Sequence, residues 1–140
     1  MAYIPVEIRR RVHEAAADRC GYCHMPQRLI PYPMEIEHIV PSSKGGTDDE
    51  LNLWLACSTC NSHKSDKLTG YDSETEAEVR LFNPRTQNWY EHFEWIEDGL
   101  RLKGLTPAGR VTIVALHMND NPLVLNTRKM WMDVNWHPPE

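Results

Sequence analysis

Apolar residues near the start of the chain recur at helical spacing. Ile8, Val12, Ala15 and Ala16 stand at i, i+4, i+7 and i+8, with Pro5 placed to open the first turn. The spacing predicts a helix that ends near Asp18. Three prolines between 24 and 33 then predict a loop. From Met34 to Val40 apolar and polar residues alternate, which predicts a strand. The Pro41–Asp49 stretch is rich in turn residues and predicts a surface loop. Leu51 to Ala56 is a short apolar run, read as a second strand, and Ser58 to Leu68 reads as a helix.

The second half has a different rhythm. Phe93 and Trp95 alternate with polar residues, Asp98-Gly99 signals a hairpin turn, and Leu100 and Leu102 resume the alternation. Thr106-Pro107 reads as a cap and first helical residue, with Val111, Val114, Ala115 and Met118 as the apolar face. A last helix is expected from about 123 to 132. The pattern predicts an α+β fold in one domain: a core over about 18–70, with a β-hairpin and helix of residues 71–140 packed on it. Neither half has much core of its own.

Composition narrows the class. Hydrophobic residues make up 41% and charged residues 25% of the 140, as in ordinary soluble domains. No apolar run approaches the roughly 20 residues of a membrane span, and the opening residues lack a leader pattern. The expected location is the cytosol. The net charge of −5 argues against a chain that attracts phosphate over its whole surface. A nucleic-acid substrate would need a local basic strip and a bound cation.

The cysteines come as two pairs, Cys20-x-x-Cys23 and Cys57-x-x-Cys60. Reducing conditions favour metal over disulfides. Two such knuckles can set four sulfurs in a tetrahedron, which suits a closed, structural Zn²⁺ site. Iron of the rubredoxin type has the same spacing logic. With four cysteines present, His13 and His24 are not needed as ligands.

Between the knuckles stand Glu37-His38-Ile39-Val40-Pro41, Gly45-Gly46 and Asn52-Leu53, followed by Cys57-x-x-Cys60-Asn61-x-x-Lys64. In these positions the chain resembles the HNH nucleases, which use a ββα-metal fold, and is most similar to small bacterial members with two zinc knuckles. The core of the resemblance runs from Cys20 to Lys67. The stretch Leu81–Phe93 is similar to the tail of that subgroup.

The resemblance implies a set of roles. His38 would be the general base for water attack on a phosphodiester. Glu37, where the family more often has aspartate or histidine, and Asn61 would hold catalytic Mg²⁺ or Mn²⁺, hard ions suited to oxygen ligands. Asn52 would hold the loop and orient the histidine, and Lys64 would be the basic residue of the helix. Asn61 and Lys64, three apart, share a helix face, whereas His63 points elsewhere and is the weaker choice for the third letter of the name. Lys44, Lys64, Lys67 and Arg85 are candidates for a phosphate track. The expected activity is a DNA endonuclease that nicks, acting as monomer or homodimer, with a partner protein as one source of target choice. RNA as substrate, and a non-catalytic zinc module, are the alternatives.

Overall fold

The computed structural model describes residues 3–139. The chain forms two compact units, one of residues 1–68 with 83–87, the other of residues 69–82 with 88–140.

The first unit opens with helix α1 (Val6–Ala15). Val12 and Ala16 are buried, but Ala15 faces solvent, so its apolar stripe is narrower than the spacing suggested. The helix stops because Ala17 and Asp18 take positive φ. Strands β1 (Glu35–His38) and β2 (Leu53–Ala56) pair antiparallel, with His38 opposite Leu53 and Glu37 opposite Trp54. Helix α2 (Ser58–Lys64) follows directly. This is the expected ββα order. Leu53 and Leu55 are fully buried beneath α1. Leu51, expected in the second strand, is exposed in a short turn (Glu50–Asn52) capped by Asp49. Helix α2 ends three residues after Asn61 because Ser65 turns to positive φ.

The second unit carries two hairpins. Strands β3 (Thr69–Asp72) and β4 (Ala77–Arg80) form one. Its sequence alternates too few apolar residues to be read as strand. After the short helix α3 (Trp89–His92) come β5 (Phe93–Ile96) and β6 (Arg101–Gly104), joined around Asp98-Gly99 as expected. Gly99 has φ +107, a region open to glycine.

Helix α4 (Pro107–Ala115) starts where Thr106 Oγ1 accepts from the Gly109 N–H at 3.1 Å. Its buried residues are Gly109, Val111, Thr112 and Ile113, continued by Leu116 and Met118 just past the helix end, while Val114 is 74% exposed. Of the expected face, Val111 and Met118 are buried, Ala115 is half-buried and Val114 faces solvent. Thr112 goes inside because its hydroxyl bonds the Phe82 N–H and the Ala108 carbonyl. Helix α5 (Pro122–Asp133) matches the expected last helix to within a residue at each end. Its one buried residue is Arg128, which donates to the carbonyls of Leu100 and Met118 and lies over the Trp95 ring.

Candidate functional site

Both knuckles are positioned by backbone bonds. The Gly21 N–H donates to the Leu55 carbonyl, which lays the first knuckle against β2. A side chain at 21 would meet Trp54 at 2.4 Å, so the contact requires glycine. His24 turns the chain at φ +66, and the Cys20 N–H closes the loop on Met25. Cys57 caps α2, its sulfur accepting from the Cys60 N–H at 3.4 Å.

The four sulfurs are buried and lie within 4.8 Å of one another. Zn–S bonds of about 2.3 Å put tetrahedral sulfurs about 3.8 Å apart, and the Cys23 and Cys57 sulfurs are 3.8 Å apart. The donor set and spacing fit Zn²⁺. Burial works to raise the Cys20 thiol, yet hydrogen bonds from Cys23, Cys57 and Cys60 hold it well below the ordinary range. Those to Cys20 push Cys23 and Cys60 well above it. A bound dication would favour the thiolate form of all four ligands and release their protons.

The first knuckle also reaches the hairpin. Tyr22, fully buried between the two cysteines, donates its hydroxyl to Glu37 Oε1. Glu37 Oε2 lies 3.1 Å from Lys64 Nζ, with both side chains at most 2% exposed. Lys64 donates also to the carbonyls of His38 at 2.9 Å and Ile39 at 3.1 Å. Burial pushes the Glu37 carboxyl up, and Lys64 and Tyr22 offset part of that. Tyr22 is pushed well above the usual phenol range by burial and by Glu37. A buried carboxylate and ammonium are tolerable together because the remaining lone pairs and protons are also satisfied.

His38, one residue on, is a quarter exposed, and its Nε2 lies 2.7 Å from Asp48 Oδ1. The hydrogen bonds of Asn52 go to the loop, not to the imidazole. Its Oδ1 accepts from the Val40 N–H, and its Nδ2 donates to the carbonyls of Val40 and Thr47. It therefore closes the loop between Val40 and Thr47. Asn61 donates to Glu35 Oε1 at 2.7 Å. The structure thus pairs Glu37 with Lys64, and Asn61 with Glu35.

A hard cation at Glu37 does not fit this arrangement. Both oxygens are occupied, the side chain has no open face, and an ammonium already neutralises it. Binding there requires the Glu37–Lys64 pair to open.

The expected phosphate contacts are placed as follows. Lys64 is buried, so it is no surface contact in this arrangement. Lys44 reaches the Asp66 carbonyl at 2.7 Å. Lys67 bonds the His63 carbonyl. Arg85 donates to the Leu53 carbonyl and lies over the Trp54 ring, 5.0 Å from its centroid. Tyr22, Glu35 and Asp48 were missed by sequence reasoning. Tyr22 alone carried a signal, standing inside a metal knuckle.

One comparison with known proteins bears on this geometry. Residues 20–67 match the HNH endonuclease family. The HNH match begins at the first zinc-type cysteine and ends just past α2, so it spans both knuckles, the β1–β2 hairpin and the helix. No curated protein and no solved structure matches the chain. HNH proteins are nucleases as a family, which supports hydrolase activity on nucleic acid at that level. Among the described residues no helix is long and apolar enough to cross a membrane.

Proposed function

We propose that the chain hydrolyses phosphodiester bonds of DNA, introducing single-strand nicks. The observation that carries this is His38. It stands in the HNH-matching segment at the end of β1, partly open to solvent, with its main-chain carbonyl fixed by Lys64 and its ring held by Asp48. A neutral imidazole carries a lone pair that can accept a proton as a general base. It would take one from water as the water oxygen attacks phosphorus. The P–O3′ bond breaks, leaving 5′-phosphate and 3′-hydroxyl ends.

Charge distribution supports a nucleic-acid substrate. By sequence the first unit carries nine basic and nine acidic side chains, the second six and eleven. The whole net charge of −5 therefore belongs to the second unit, and the unit with His38 is neutral before metal binding.

The buried Glu37–Lys64 pair favours one second reading, a zinc module that binds nucleic acid without cutting it. The deciding experiment incubates purified protein with supercoiled plasmid, linear DNA and RNA, under Mg²⁺, Mn²⁺ or chelator. Nicked plasmid from wild type, none from His38→Ala, and equal zinc content in both are expected. Equal cleavage by the mutant removes the base from the reading. Cleavage of RNA alone reassigns the substrate, and binding without cleavage leaves the zinc module.

A further inference from the structure

The ring of His38 is held by a carboxylate that belongs to none of the motif positions. Asp48 Oδ1 lies 2.7 Å from His38 Nε2, and His38 Nδ1 has no hydrogen-bond partner among the described residues. A carboxylate can only accept. In the neutral imidazole the proton therefore sits on Nε2, and the lone pair is on Nδ1. We infer that Asp48 is a positioning residue for hydrolysis, selecting the tautomer in which Nδ1 of His38 takes the proton of the attacking water. This rests on the nuclease reading above.

The loop is built to deliver Asp48. Asn52 ties Val40 and Thr47 together with three bonds, which closes the loop at both ends. Gly46 lies so close to Val40 that a Cβ would fall 1.7 Å from its carbonyl oxygen. On the far side, Asp49 bonds the Thr47 hydroxyl through its N–H and accepts from the Leu51 N–H. Asp48 stands between two fixed neighbours, next to a ring whose main chain is pinned by Lys64. Asn52 then acts at one remove: it fixes the loop, and the loop fixes the ring.

The proton inventory closes. Water loses a proton to Nδ1 and its oxygen bonds phosphorus. The 3′ oxygen leaves with the bond pair and is protonated by solvent. Nε2–H stays on Asp48, and the imidazolium formed faces a full negative charge, as in a carboxylate-held general base.

The test uses the full zinc-loaded chain and plasmid DNA. Asp48→Ala should lower kcat roughly tenfold or more, with KM for DNA unchanged or lower. Asp48→Asn keeps an acceptor for Nε2–H and should recover part of the loss. An acid that is merely on the surface would behave in the opposite way, since its removal would ease phosphate approach and leave kcat intact. Side-chain ¹⁵N spectra at alkaline pH should show His38 protonated on Nε2 in wild type. Wild-type kcat in Asp48→Ala, or an Nδ1–H tautomer in wild type, overturns the inference. Absence of cleavage by wild type overturns the nuclease reading and this role together, and is distinguished from the former by the wild-type lane alone.

Discussion

Lys64 shows how one residue type can be right and its placement unexpected. As a helix lysine beside a metal knuckle it reads as a phosphate contact. Its neighbours in space are instead a buried carboxylate and two carbonyls, and the desolvated charges hold each other in place. Removing one partner of such a pair strands the other. Lys64→Met should cost about 3–5 kcal/mol, read from urea unfolding followed by circular dichroism. The double variant Glu37→Gln with Lys64→Met should regain most of that, because no charge is left unpaired. A single variant as stable as wild type would show that the pair is solvated. Asn61 and His63 separate at the same scale. With Asn61 beside Glu35 at the mouth of the hairpin, Asn61→Ala should reduce plasmid nicking far more than His63→Ala, and the reverse ranking would reassign the third letter of the motif.

Among elements, α1, the β1–β2 hairpin and α2 are short, and a strand pair of four residues each is marginal alone. The four sulfurs join the turn after α1 to the start of α2, across the hairpin. Cys57 serves twice, as one of the four clustered sulfurs and as the cap of α2. Chelation of zinc, or Cys57→Ser, should lower the melting temperature and helix signal, and zinc should restore the chelated protein only. A zinc-free protein with unchanged melting would deny the metal a structural role. The elements themselves were largely legible. β1, α2, the Asp98-Gly99 hairpin, α4 and α5 all announced themselves through periodicity and caps. The β3–β4 hairpin did not, because only Tyr71, Ala77 and Val79 interrupt its polar run, and its support comes from α4. There Gly70 packs with its Cα against Val111. Thr112 was missed for a different reason: two bonding partners, the Phe82 N–H and the Ala108 carbonyl, let a polar residue join Val111 and Ile113 inside, while Val114 faces solvent.

Over the molecule as a whole, charge is segregated by unit, and the acidic unit is stabilised by its own ion pair. In it, Arg110 and then the Thr75 hydroxyl hold the Asp72 carboxyl well below the usual carboxylate range. A depressed pKa means that the folded state binds this proton less readily than the unfolded chain. The contribution is therefore full above the unfolded value near 3.9 and is lost as pH falls through the depressed one. Asp72→Asn should be less stable than wild type at neutral pH and show a flatter acid limb in melting-temperature scans. Parallel acid limbs would remove Asp72 from the linkage.

Ligand chemistry and periodicity are local, and so the chain by itself determined the four-cysteine cluster, the ββα order, the histidine at the strand end and most helices. Contacts across loops are not local. Which carboxylate meets Lys64, that Asp48 and not Asn52 holds the His38 ring, and that Tyr22 links a knuckle to Glu37 were decided only in three dimensions. Residues ten or more apart meet at a distance set by loop closure and by the burial of unlike charges together, and neither is written in the spacing of residue types.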